Sequence, residues 1–316
     1  MTRSTRRGFV GGAAAGLVAP RVLAGAPAAA AVPGFEAKPV AVRQGRAIAA
    51  AAVGRHVRLL VAHDWHRTVA IGGRRPRIVD VGGRPVDVAI GPGGRLGAVT
   101  TGFWDEPGLT LLDLATGAVV ARLDVGPAPG ALAFDGETLV VAGGEQEGTI
   151  HVVDVRRRRT ERSVVVGRVP RGLALTGDGR AWVALNADDR IARVNLERGR
   201  VERTVRTPAL PHAIALSPGG GRALVTHGGP EAGRVSEVDL RERIVKRHAA
   251  GPLPSGVAWT RGGRRLVALG GAAAVAELGR ARRSHAVAPA PRGIATAGRR
   301  FFTVSALTAQ VSEGRA

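Results

Sequence analysis

The chain has 316 residues with 45% hydrophobic content, enough for a sizeable core, but aromatics are only 3% and Tyr is absent, so that core is built from Val, Ala and Leu. The absence of Cys excludes disulfides, thiolate metal sites, covalent c-type haem, cysteine nucleophiles and a lipid anchor on an N-terminal Cys. The net charge is +21, and Lys38 and Lys246 are the only lysines among 46 basic residues, so an Arg-rich exterior should attract polyanions in a salt-dependent manner, whether selection or a GC-rich coding sequence set the bias.

The first 31 residues read as an address rather than as fold. Thr5-Arg6-Arg7-Gly8-Phe9-Val10 resembles a twin-arginine export signal, followed by a weakly apolar run from Phe9 to Ala19 and small residues from Ala24 to Ala31 that offer cleavage choices. An ordinary secretory signal with incidental arginines is the alternative, and either one places the mature protein in the periplasm or outside the cell. The run is too short and too rich in Gly and Ala to anchor in a bilayer, and no later segment is long and apolar enough to span one.

After the address comes Pro39–Arg43, which reads as a lone strand, and then a degenerate strand at Arg46–Ala51. A repeated phrase follows: a Gly or Pro turn, Pro, two residues, an alternating apolar run and a second Gly-rich turn. Its prolines are Pro85, Pro129, Pro170, Pro211, Pro254 and Pro291, at intervals of 44, 41, 41, 43 and 37 residues. A fixed period in this range signals stacked or radial units, none of which can bury its apolar face alone. With Gly 46 and Pro 19 and no triplet period, the chain has turns enough for many short strands.

The copy at Pro170 reads as four strands: Arg171–Thr176, Ala181–Asn186, Arg190–Asn195 and Val201–Arg206. Gly177-Asp178-Gly179, Ala187-Asp188-Asp189 and Glu197-Arg198-Gly199 separate them. Second strands recur at Leu59–Ala62, Gly97–Thr100, Leu139–Ala142, Ala223–Thr226 and Leu266–Leu269, and third strands end at Asp113, Asp154, Asn195 and Asp239. A four-stranded unit of this length is a propeller blade. Residues 32–316, divided by a period near 41, hold seven. The last copy supplies Gly293–Thr296, Phe301–Val304 and Thr308–Ser312 and stops one strand short, so residues 38–44 are expected to complete it. The expected fold is therefore all-β: a seven-bladed propeller of four-stranded antiparallel blades, its last blade closed by an N-terminal strand.

These phrases resemble the YVTN-repeat β-propellers, within the wider group of quinoprotein-amine-dehydrogenase-like propellers. Thr149-Ile150-His151-Val152-Val153-Asp154 and Leu109-Thr110-Leu111-Leu112-Asp113 match one part of that motif, and Trp182-Val183-Ala184-Leu185-Asn186 matches the part that names it. The resemblance covers about residues 38–316. It is specific for fold and weak for function, since such propellers include binding proteins, enzyme subunits and lyase-like or lactonase-like enzymes.

The resemblance implies that turns before the first strands and loops after the second strands share one face around the central channel. From the first group come Asp87, Arg171, His212, Ser255 and Arg292; from the second come His63, Trp65, His66, Trp104, Asp105, Asn186, Asp188 and His227. Of these, His63, Trp65, Asp87, Trp104, Arg171, Asn186, His212, His227 and Arg292 form the candidate ligand site. His212 or His227 would serve as general base, with Arg171 and Arg292 holding an anion. His63 with His66 is the weak metal candidate, but no motif of metal-site spacing is present and no metal or cofactor is expected. Arg156-Arg157-Arg158-Arg159 reads as a solvated hairpin or an anion grip without aromatic platforms.

No strong catalytic constellation is visible. The leading expectation is an exported, non-catalytic propeller, monomeric, that binds a protein partner or an anionic ligand. The alternatives are a lyase or hydrolase at the channel mouth and an accessory subunit of a periplasmic redox complex.

Overall fold

The computed structural model describes residues 44–64, 66–72, 76–102, 107–242, 245–279, 283–308 and 310–316, and these are almost entirely strand. Blade one holds β1 (Gln44–Val53), β2 (His56–Asp64), β3 (Thr68–Ile71) and β4 (Arg77–Asp80). Blade two holds β5 (Pro85–Ile90), β6 (Leu96–Thr101), β7 (Gly108–Asp113) and β8 (Val119–Leu123). Blade three holds β9 (Leu132–Asp135), β10 (Thr138–Gly143), β11 (Gly148–Asp154) and β12 (Arg159–Gly167). Blade four holds β13 (Pro170–Leu175), β14 (Arg180–Leu185), β15 (Arg190–Asn195) and β16 (Arg200–Arg206). Blade five holds β17 (Pro211–Leu216), β18 (Arg222–His227), β19 (Arg234–Asp239) and β20 (Val245–Ala249). Blade six holds β21 (Pro254–Trp259), β22 (Arg265–Leu269), β23 (Ala274–Leu278) and β24 (Arg283–Ala286), and blade seven β25 (Pro291–Ala297), β26 (Arg300–Ser305) and β27 (Val311–Arg315). Each sheet is an antiparallel meander in chain order.

Local chemistry sets the turns. Between β13 and β14, Gly177 (φ 75°) and Gly179 (φ 73°) are left-handed, which lets Thr176 N–H donate to the Arg180 carbonyl at 3.0 Å. The acids and amide that end the third strands cap the next turn. Asp113 Oδ1 accepts from Ala115 and Thr116 N–H, Asp154 Oδ1 from Arg156 and Arg157, Asn195 Oδ1 from Arg198, and Asp239 Oδ1 from Arg241 and Glu242. The N–H of Thr116 and the side chain of Arg95 hold Asp113 at about 2, so these carboxylates are turn caps rather than proton carriers.

Alternation buries both faces of the strands. In β14, Ala181, Val183 and Leu185 face blade three and join Val140, Ala142 and Ile150, whereas Trp182 and Ala184 face blade five and join Ala223 and Val225. In β2, Leu60 and Ala62 face blade two, while Leu59 and Val61 face Phe302 and Val304 of blade seven. A separate apolar cluster fills each junction between neighbouring blades, so a lone blade would leave both faces wet. Inner strands touch in succession (β1, β5, β9, β13, β17, β21, β25), and β25 meets β1 to seal the ring.

Gly172 makes one of these approaches possible. A Cβ there would sit 2.3 Å from the His212 carbonyl oxygen on the next inner strand. A buried carboxylate helps tie blade five to blade six. Glu237 on β19 pairs through Oε1 with Arg222 (3.1 Å) and through Oε2 with Arg265 of blade six (2.6 Å) and His248 (3.1 Å). Burial would raise its pKa, but the charge and hydrogen bond of Arg265, with Arg222 and His248 beside it, hold it below the ordinary Glu value.

Two expectations shift at the ends. Gln44 pairs with Asp64 and already belongs to β1, while residues 38–43, expected to close the last blade, lie outside the described residues. The third strand of blade seven runs Val311–Arg315 rather than 308–312. Ser305 Oγ accepts from Leu307 and Thr308 N–H and holds that stretch in a turn. The loop at Asn186–Asp188 is a short 3-10 turn. No helix among the described residues is long and apolar enough to cross a membrane.

Candidate functional site

The inner strands carry a recurrent irregularity just after the repeat proline. Pairing runs from Pro170↔Leu185 to Gly172↔Ala184 and leaves Arg171 unmatched. The same skip leaves Val86 between Pro85 and Asp87, and Ser255 between Pro254 and Gly256. In β17 it spans His212 and Ala213, and in β25 the register shifts between Arg292 and Ala295. In β1 the skip falls between Gly45 and Ala47, so Arg46 is the counterpart of Arg171 and Gly45 stands where other blades have Pro. Bulges of this kind re-aim a side chain. Here Arg46, Arg171, His212, Ser255 and Arg292 all line one central cavity of about 950 Å³, together with Asp87. That volume lies in the range of small-ligand sites.

Five turns entering the inner strands are strained. Ala128, Val169, Leu210, Leu253 and Ala290, each just before a repeat proline, have φ of 47, 50, 52, 49 and 48°. A left-handed non-Gly residue costs roughly 1–3 kcal/mol and needs surroundings that fix it. In four of the five the residue's own carbonyl is held by the chain leaving the second strand: Asn186 N–H donates to Val169 O (2.9 Å), Gly228 to Leu210 O (3.0 Å), Gly270 to Leu253 O (2.7 Å) and Ala306 to Ala290 O (2.9 Å). The clamp sets the depth of each proline and of the bulged side chain after it.

The cavity is electropositive. Among the described residues its wall holds Arg46, Arg171 and Arg292 against one carboxylate, Asp87. Burial, and then the charges of Arg171, Arg292 and Arg46, push the His212 pKa down, so its imidazole is neutral at pH 7 although its ring is open to the cavity. Burial likewise pulls Arg171 down, opposed by Glu145 and aided by Arg46. Desolvation pushes Asp87 up to about 6, against hydrogen bonds from the Val88 and Leu132 backbone and the charge of Arg46.

The other predicted residues take different places. His227 lines the cavity but is 3% exposed, and both ring nitrogens are engaged. Nδ1 donates to the Ala209 carbonyl (3.3 Å), which leaves Nε2 to accept from Ser236 Oγ (2.8 Å). Burial, against the Ala209 carbonyl and Glu231, lowers its pKa. His63 occupies the equivalent strand end in blade one, is 2% exposed and meets Thr68 Oγ1 at 3.0 Å, away from the cavity wall. Asn186 Nδ2 donates to the Pro211 carbonyl (3.0 Å) and ties blade four to blade five; Ser255 Oγ does the same from blade six to blade seven at Pro291 (2.6 Å). His66 is half-buried in the loop after β2 and is not in the cavity wall. Trp65 and Trp104 lie outside the described residues. No cluster of three metal-ligating side chains occurs among the described residues. Arg157 pairs with Asp154 (3.6 Å) and Glu161 (3.1 Å) in a hairpin at the far end of its blade from the cavity.

Sequence reasoning missed Arg46. The signal was present: sliding the degenerate first strand onto the Pro170 copy places Gly45 on the proline and Arg46 on Arg171.

No family model matches the chain, and no curated protein matches it. Solved structures share the fold. A chain of the Kuenenia stuttgartiensis hydrazine synthase is 16% identical with a TM-score of 0.76, and the match covers 88% of this chain and 97% of that one. A chain of a mitotic checkpoint complex is 14% identical with a TM-score of 0.73, covering 100% and 99%. At these identities the likeness is one of fold: this chain is a seven-bladed β-propeller.

Proposed function

We propose that this propeller is a binding protein that takes an anionic ligand at its channel mouth. One observation carries the reading: bulges on blades one and four bring Arg46 and Arg171, and the strand leading into the bulge of blade seven brings Arg292, to a single cavity whose wall holds one carboxylate among the described residues. Guanidinium groups held on a rigid ring suit carboxylate or phosphate oxygens. Membership of the YVTN-repeat propellers and export through a twin-arginine-type signal belong to the same reading. They rest on the phrase at Trp182–Asn186 and on Arg6-Arg7.

Calorimetric titration with sodium acetate and with sulfate at low ionic strength tests it. Binding should weaken as salt rises and fall at least tenfold in the Arg171→Gln/Arg292→Gln double variant. An affinity indifferent to salt and to both substitutions would refute the reading. The neutral His212 inside the cationic ring favours a second reading, proton abstraction from a bound acid. Mass spectrometry of a bound ligand after incubation separates the two, since turnover would stop in His212→Asn while binding persisted.

A further inference from the structure

The anion site has a second half. Among the described residues the exposed large hydrophobics are Ile78, Val165, Leu210, Leu253 and Leu307, and three of the five gather at the mouth of the cavity. Leu253 (60% exposed) and Leu307 (58%) are part of its wall. Leu210 (37%) stands beside Gly228 and Gly229, which also line it; a Cβ on either glycine would meet the Leu210 side chain at 3.4 or 3.0 Å. Leu210 and Leu253 are the largest of the five strained residues before the repeat prolines, where φ of 52 and 49° fixes the backbone that carries them. Ala232, Ala290, Pro254 and Ala306 continue the same crescent on blades five to seven. Apolar side chains in solvent on a rim, above a ring of guanidinium groups, form a two-part surface. A purely inorganic anion would use only the charged part.

We propose that the ligand is a small amphipathic carboxylate, its head on Arg171 and Arg292 and its apolar arm across Leu253 and Leu307. The inference rests on the anion-binding reading and adds the arm. Two features favour this occupant. The cavity of about 950 Å³ holds a small molecule whole. Leu253 stands on the turn before its repeat proline, whereas Arg171 and Arg292 follow theirs on the inner strands, so one head and one arm match the two parts in order. A protein terminus is the competing occupant.

The test compares acetate, hexanoate, octanoate and uncharged octanamide on the full chain by calorimetry. Burial of each methylene strengthens binding about fourfold. If half of octanoate's six additional methylenes are covered, octanoate should bind on the order of 50-fold more tightly than acetate. The gain should shrink below about fivefold in Leu253→Asn/Leu307→Ser, whose exposed sites and Asn-tolerant left-handed turn leave the fold intact. Leu307→Gln alone, with melting temperature measured in parallel, guards against a folding defect. Equal affinity for acetate and octanoate would overturn the arm and leave the anion reading standing. Equal affinity for octanoate and octanamide would overturn the anion head. Binding of a peptide ending in Leu, with free octanoate unable to compete, would replace the small molecule by a protein terminus.

Discussion

Replacing Glu237 by Gln tests the electrostatic account of the junction between blades five and six. The carboxylate is 7% exposed, and its two oxygens meet three donors from Arg222, Arg265 and His248. Gln keeps the shape but offers one acceptor oxygen, and its amide N–H groups then face a donor. The best arrangement keeps the oxygen toward Arg265 and turns the NH2 toward Arg222, which is 60% exposed and can swing into water. The loss is therefore dominated by Arg265, 26% exposed, whose pair with a desolvated carboxylate is worth about 2 kcal/mol. Arg222 adds about 0.5 kcal/mol, as an exposed pair does. A total near 2.5 kcal/mol corresponds to a melting temperature about 5 °C lower at pH 7. The sign with pH follows from the depressed carboxyl. A group whose folded pKa lies below its unfolded value, here 4.5, stabilises fully above that value and ceases to do so as pH falls through the folded pKa. Calorimetric melts of both proteins should differ at pH 7, and the difference should shrink as pH falls below 4.5 and through the depressed pKa of the folded carboxyl. Equal melting temperatures at pH 7, or a difference that survives into acid, would refute the account.

Two further substitutions separate packing from binding. Gly172→Ala inserts a Cβ 2.3 Å from the His212 carbonyl and 3.1 Å from Ile214 N, against backbone that cannot yield cheaply, so urea unfolding should show a loss of about 2–3 kcal/mol. Gly219→Ala meets nothing within 4 Å and should unfold within about 0.5 kcal/mol of wild type; matching losses in the two would contradict the close-approach argument. His227→Ala strips Ser236 Oγ and the Ala209 carbonyl of their partner and should cost about 2–3 kcal/mol while leaving acetate affinity within threefold. An affinity loss above tenfold with the melt unchanged would make His227 a ligand residue instead.

The blades were legible because the proline phrase marks six of the seven inner strands and because Leu59, Leu60, Val61 and Ala62 alternate between two junctions. A strand buried on both faces reads as a plain apolar run, and the period supplied what alternation alone did not. The site was legible in part. Arg171, His212 and Arg292 follow their prolines directly, so the repeat itself pointed to them. Arg46 was hidden because blade one has Gly45 in place of the proline. His63, Asn186 and His227 sit at the ends of the second strands, as expected, yet their polar atoms engage Thr68, the Pro211 carbonyl, Ser236 and the Ala209 carbonyl, which are cross-blade or cross-strand partners that sequence spacing does not reveal. The leucine crescent carried no signal in the sequence, since only the left-handed turns explain why Leu210 and Leu253 stand in solvent.

The residue after the repeat proline separates what a blade is from what it contacts. In blades two, four and six the ladder register skips that residue (Val86, Arg171 and Ser255), so exchanging it leaves the strand pairing intact. The residue after the proline, or after Gly45 in blade one, lines the cavity in all seven blades, and in this chain these residues read Arg46, Val86, Gly130, Arg171, His212, Ser255 and Arg292. A descendant could rewrite them one at a time, trading guanidinium for hydroxyl or carboxylate, and inherit a new specificity on unaltered scaffolding.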